Sequence, residues 1–177
     1  VVVVDEAYAQ FSPHTALDKI SESSRVAVSR TFSKTWSMAA ARLGYLVAPK
    51  WMIADLEIVT LPYHLDALKQ TAGLLALRHV ANMEAGVKTV VAERERMLAA
   101  MREMPITTWP SQANFMLFRP DARPGREVWQ SLLDAGVLVR DCSSWAGLAD
   151  CLRVTVGTRA ENDAFLAALR GAFAARD

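Results

Sequence analysis

The sequence predicts an α/β protein made of part of a large mixed-sheet domain, a connecting helix and a small α+β domain. Three observations carry that reading. The chain opens on "VVVVDEAYAQF", four β-branched residues closed by acid, the pattern of a parallel strand covered on both faces. Strand-like segments follow within the first 50 residues and return after residue 106. Between them lies a long stretch rich in Ala, Leu, Glu, Arg and Met, the composition of helix.

Taken in order, residues 1–4 form the first strand, and a polar stretch holding Pro13, His14 and "SESS" follows as a loop with a short helix. "RVAVSRTFS" (25–33) alternates apolar and polar side chains, the period of a second strand. "RLGYLVA" (42–48) is a third, and Pro49 opens a helix through "KWMIADLEIVT" from a first-turn position that tolerates its missing N–H. Residues 65–104 are helical in composition. Within them "VVAERERMLAAMREM" sets Val90, Met97, Met101 and Met104 on one face and its charges on the other, and Pro105 stops it. "ANFMLFR" (113–119) is the next strand, "GREVWQSLLDAG" a helix closed by Gly136, and "VLVR" and "CLRVTVG" are further strands. "RAENDAFLAALRGAF" is the last helix, striped by Phe165, Leu166, Leu169 and Phe173. The elements divide the chain into residues 1–84, the C-terminal part of a large domain; 85–105, a connecting helix; and 106–177, the small domain. From a first residue already inside a strand pattern, with no initiator Met, the chain is expected to be the C-terminal part of a longer protein.

With 177 residues and 52% hydrophobic content, the chain has ample material for a core. A net charge of +1 advertises no polyanion-binding surface, which argues against nucleic acid as a partner. No apolar run approaches the roughly 20 residues that span a membrane. Cys142 and Cys151 have neither the CxxC spacing nor the histidines of a zinc site, so no metal is expected. They read as reduced thiols, which favours the cytoplasm over a disulfide.

The acid that ends the first strand has three readings. Asp5 could hold magnesium, but the glycine-rich phosphate loop GxxxxGK[ST] that would accompany it is absent from these residues. An isolated acid after a strand most often caps the next turn. The third reading is a cofactor site, and "SRTFSKTWSMAAARLGY" favours it. Lys34 stands just past the second strand among Thr31, Phe32, Ser33, Trp36 and Met38, a setting expected to strip water from its ammonium group and favour the neutral, nucleophilic amine. Hydroxyls together with Arg42 suit a phosphate. A lysine for an aldehyde, hydroxyls and a guanidinium for a phosphate, and a carboxylate for a ring nitrogen together fit pyridoxal 5'-phosphate. The end of a parallel strand is where an α/β sheet presents such an acid.

On these residues the chain resembles the fold type I (class I and II) aminotransferases, and it looks most like the histidinol-phosphate aminotransferases among them. "LPYHLDALKQ" and "CLRVTVGTRAEN" continue the likeness over essentially the whole chain. The resemblance implies the PLP-dependent transferase-like fold. It makes Lys34 the residue that holds the cofactor covalently and then moves the proton at the substrate Cα. It pairs Asp5 with the pyridine nitrogen, sets Tyr8 on the ring hydroxyl, and gives the phosphate to Thr31, Ser33 and Arg42. Arg153, in "LRVTVG", would grip the substrate α-carboxylate through its bidentate fork, and Arg140, ending "VLVR", would meet the phosphate end of the substrate. The implied reaction is transamination between histidinol phosphate and 2-oxoglutarate, a step of histidine biosynthesis, in a full-length homodimer. Other cofactor contacts of the family lie upstream of a motif like "DEAY", so these residues alone are expected to bind the cofactor weakly and turn over little.

Taken alone, Arg153 is a surface ion-pair partner and Arg140 a sheet-end cation, and His64 has no assigned role. Within the same fold, an aromatic aminotransferase or a phosphothreonine decarboxylase-like enzyme is the nearest alternative. A different class is the aminotransferase-like sensor domain of a transcription regulator, which would carry a DNA-binding winged helix upstream.

Overall fold

The strand β2 (Val26–Thr31) organises the first part of the computed structural model, which describes residues 1–174. β1 (Val2–Asp5) runs parallel to β2, Val2 opposite Val26 and Asp5 opposite Ser29; β3 (Gly44–Val47) lies antiparallel on the other side, Thr31 opposite Gly44. Ala27 and Val28 in the middle of β2 are buried, whereas Val1, Val2 and Val3 are exposed. The expected first strand over residues 1–4, covered on both faces, is therefore corrected: β1 starts at Val2 and is an edge strand, bonded among the described residues to β2 alone. Two 3-10 turns, Ala9–Phe11 and Leu17–Lys19, fill the polar stretch between β1 and β2.

α1 (Lys50–Val59) follows β3, with Pro49 at its N-cap in an extended conformation (φ −57°, ψ 150°) rather than in the first helical turn. α2 (Ala67–Ala76) begins where the Asp66 carboxylate accepts the Lys69 N–H at 2.9 Å. Gly73 of α2 comes so close to Leu43, the residue before β3, that a Cβ there would lie 2.7 Å from Leu43 Cδ2. The helix expected over residues 65–104 is interrupted: it tightens into a 3-10 turn at Leu77–His79 and resumes as α3 (Val80–Arg102).

The chain divides into two compact units, Val1–Val87 and a second beginning at Lys88. The second unit holds a four-stranded antiparallel sheet in the order β4 (Ile106–Thr108), β5 (Phe115–Pro120), β7 (Leu152–Thr155), β6 (Arg140–Asp141). α4 (Gly125–Asp134) and α5 (Arg159–Phe173) share its core with the end of α3. Met97 and Met101 of α3, Phe118 of β5, Leu132 of α4 and Leu169 of α5 are wholly buried there, and Phe118 meets Phe165 edge-on at 6.0 Å. Each such side chain contributes about 1.5–3 kcal/mol.

Three expectations for this unit change. The charges of α3 do not all face water: Glu93 and Arg94 are buried. β4 was not expected, because three residues are too few for an alternation signal. "VLVR" shrinks to the two residues of β6 because α4 uses its backbone first. Gly136 (φ 76°) closes α4 in the left-handed region, its N–H bonding the Leu133 carbonyl and the Val137 N–H the Leu132 carbonyl, while the Val139 carbonyl accepts from Trp129 Nε1.

Candidate active site

Six of the residues singled out in the sequence lie in the first unit, at or beyond the ends of β1 and β2. Asp5, the last residue of β1, accepts the Ala7 N–H at 3.0 Å through Oδ1, which also lies 3.5 Å from the Ser29 hydroxyl. The acid is thus a turn cap, and the turn it caps delivers Tyr8. The Lys34 ammonium sits over the Tyr8 ring, 5.3 Å from its centre, which brings the first and second motifs together. Lys34 is exposed, not enclosed by its sequence neighbours as expected. Phe32 turns inward instead and packs against Trp36 and Tyr45, with ring centres 5.6 and 5.8 Å away.

Past β2 the chain folds back on itself. Thr31 Oγ1 accepts the Ser33 N–H at 3.1 Å, and its hydroxyl proton is shared between Ser33 Oγ (2.9 Å) and the Leu43 carbonyl (3.3 Å). Phe32 N–H bonds the same carbonyl, and Met38 N–H returns to the Phe32 carbonyl. Ser37 (φ 55°) and Arg42 (φ 53°) both adopt left-handed backbone conformations that non-glycine residues rarely take. The Arg42 guanidinium donates to the Ala39 carbonyl at 3.1 Å. Beside Lys34, the Thr35 hydroxyl is buried with no partner among the described residues. An amine, a carboxylate, a phenol, hydroxyls and a guanidinium gathered in one unit form a donor and acceptor set that suits a phosphorylated aldehyde.

Sequence reasoning passed over two residues beneath this constellation. Glu6, next to Asp5, is buried and accepts from Arg30 Nε (3.0 Å) and Nη2 (2.7 Å), from the Thr15 hydroxyl (2.9 Å) and from the Ala16 N–H. Burial pushes the Glu6 carboxyl up, but the bonds from Ala16, Arg30 and Thr15 outweigh it and hold it below its ordinary value. The only signal was a charge, Arg30, inside an otherwise strand-like run.

The other two candidates lie in the second unit. Arg153 on β7 and Arg140 on β6 stand directly opposite one another, and neither has an ion-pair partner among the described residues. Arg153 stacks on the Phe115 ring at 4.8 Å, and its Nε is buried without a partner. Both arginines line a concave surface of about 510 Å³ with Trp129, Leu138, Asp141 and Thr155. Like charges opposite each other on a sheet repel. An anion between them would relieve that repulsion. Cys142, just after β6, and Cys151, just before β7, are free, and burial pushes both thiols up.

The mixed sheet with its strand-end constellation, followed by a small α+β unit, places the chain among the fold type I enzymes. It belongs to the aminotransferase class I and II family, whose sequence pattern matches residues 1–169. It is 44% identical over 168 residues to the histidinol-phosphate aminotransferase of Corynebacterium glutamicum (strain R), an alignment that covers 94% of this chain and 44% of that protein. The chain thus spans less than half the length of such relatives. The crystal structure of the histidinol-phosphate aminotransferase from Clostridium acetobutylicum superposes with a TM-score of 0.88 at 25% identity, over 97% of this chain and 53% of that one. The enzyme of the same name from Sinorhizobium meliloti, solved in complex with pyridoxal-5'-phosphate, shares the fold at 24% identity with a TM-score of 0.84, over 97% of this chain and 48% of that one.

Proposed function

We propose that this chain carries the lysine, the ring-pairing acid and part of the phosphate cradle of a pyridoxal phosphate-dependent transaminase that acts on histidinol phosphate and 2-oxoglutarate. The observation that carries the reading is the Lys34 amine poised over Tyr8, three residues beyond the acid that ends the parallel strand. When bound, the cofactor supplies an electron sink that acidifies the substrate Cα–H. Lys34 would hold it covalently and, once the substrate amine had displaced it, would take and return the Cα proton. Asp5, whose carboxylate is exposed beyond its turn-capping bond, would pair with the ring nitrogen and favour its protonated form. Tyr8 donates to the ring hydroxyl. Thr31, Ser33 and Arg42 would take the phosphate.

In the second unit, Arg153 binds the substrate α-carboxylate and Arg140 its phosphate end. Residues 1–84, 85–105 and 106–177 serve as large domain, connecting helix and small domain. A cytoplasmic location and a homodimeric full-length enzyme belong to the same reading; two free cysteines and the absence, among the described residues, of a helix long and apolar enough to cross a membrane are compatible with the location.

Adding pyridoxal phosphate to the chain tests the cofactor assignment. A visible absorption band should form with the wild-type chain and not with Lys34→Ala; a band of equal strength in both would refute it. In the full-length enzyme, Arg140→Ala should raise KM for histidinol phosphate about tenfold or more, the effect of one lost charge-assisted contact, and leave phenylalanine turnover unchanged. Equal losses for both substrates would remove the phosphate role from Arg140.

A further inference from the structure

Glu6 and Arg30 are not among the residues assigned to the cofactor, yet each is bonded in sequence to one that is: Glu6 follows Asp5, and Arg30 precedes Thr31. Continuing the β1–β2 register from Asp5 opposite Ser29 sets Glu6 opposite Arg30. Side chains alternate across a strand, so Asp5, Ser29 and Thr31 share one face while Glu6 and Arg30 share the reverse. The near contact of Asp5 Oδ1 with the Ser29 hydroxyl, and the burial of Glu6 beside an exposed Asp5, agree with that alternation.

On the reverse face the Glu6 carboxylate is saturated with donors. Both Arg30 nitrogens, the Thr15 hydroxyl and the Ala16 N–H converge on it, and Arg30 Nη2 also reaches Thr15 Oγ1 at 3.1 Å. The Glu6 N–H bonds the Ser29 carbonyl, and its own carbonyl accepts the Ala9 N–H that begins the turn after Tyr8. One partly buried ion pair thereby ties together the two strand ends from which Asp5 and Tyr8, and Thr31, Ser33 and Lys34, project. A bidentate guanidinium fixes angle as well as distance.

We infer that Glu6 and Arg30 form a positioning pair that sets the spacing between the Asp5–Tyr8 turn and the Thr31–Lys34 turn from the far side of the sheet. The purpose of that spacing rests on the function proposed above; the mechanical role does not.

Hydrogen exchange and cofactor titration of the same chain separate the two. Glu6→Gln keeps the size and two hydrogen-bonding atoms but loses the charge. It should speed amide exchange in residues 7–12 and 33–42 together by about tenfold, the effect of losing one charge-assisted bond, and weaken pyridoxal phosphate binding by a similar factor. Arg30→Lys, a point charge without the fork, should show the same pattern more weakly and serves if Glu6→Gln does not fold. Val28→Ala, a buried β2 change away from the pair, provides a reference that destabilises the unit without selecting those turns. Asp5→Asn should lose the cofactor with both turns undisturbed. The inference is overturned if Glu6→Gln leaves exchange unchanged in either turn, or spreads it evenly as Val28→Ala does. A full-length protein that never takes up the cofactor, while Glu6→Gln still loosens both turns, would refute the function and uphold the pair.

Discussion

Glu93, the buried carboxylate of α3, has its charge stabilised by three side chains. Arg96 donates at 2.7 and 3.0 Å, Asn162 at 2.9 Å, and Arg159 approaches to 3.4 Å; Arg96 is itself braced by Asp163 at 2.8 Å. The bonds from Arg96 first and Asn162 second hold the Glu93 carboxyl down at about 2, against an ordinary 4.5. Because the folded value lies below the unfolded one, its stabilising effect is fully present above 4.5 and fades as pH falls toward 2. Urea unfolding of Glu93→Gln should therefore show a deficit against wild type at neutral pH that shrinks through that window; a deficit independent of pH would refute the assignment. The sequence placed this residue on a solvated face because "ERER" has the look of one, and no single-chain pattern announces that α5 supplies Asn162 and Arg159 to receive it. Lys34 went the other way. Its chain neighbours were read as its surroundings, but Phe32 folds inward and leaves the amine exposed.

At the level of single elements, the last helix was the most legible, and its energetics divide cleanly. Thr158 and Glu161 form a reciprocal capping box at the N-terminus of α5. Thr158→Ala should cost about 1 kcal/mol, read as a lowered midpoint in thermal unfolding. Gly171 in the same helix has nothing within 4 Å of a would-be Cβ, so Gly171→Ala should stabilise by about 0.5–1 kcal/mol. Gly125 is the contrary case: a Cβ there would meet the Asp150 carbonyl at 2.4 Å, while its N–H bonds the Asp150 carboxylate. Gly125→Ala should destabilise by about 1–3 kcal/mol. Helix α5 could be read from its stripe because one buried face repeats over four turns. The "VLVR" strand could not, since its fate depends on which carbonyls of α4 claim its N–H groups, a matter settled only in three dimensions. The candidate strand-end residues could be named from the string for a different reason: the chemistry proposed for them needs particular residue types at fixed offsets from β1 and β2, and such offsets survive in a linear string.

Across the whole molecule, apolar surface is distributed unevenly. Val1, Val2, Val3, Ile58, Val59, Leu61, Leu68 and Leu74 are exposed in the first unit, whereas the second gathers most of its large side chains into one core and exposes fewer, Leu138 and Trp145 among them. Exposed surface of that kind binds hydrophobic dyes. The chain should enhance anilinonaphthalene sulfonate fluorescence, and Leu68→Glu with Leu74→Glu should reduce it; no change would place the dye elsewhere. The candidate residues are also sorted by unit: those proposed for the cofactor all precede Val87, and the two arginines proposed for the substrate both follow Lys88. A single crossover within α3 would therefore split the two inheritances, so that a chimera of two family members would take its spectrum from one parent and its choice of amino donor from the other.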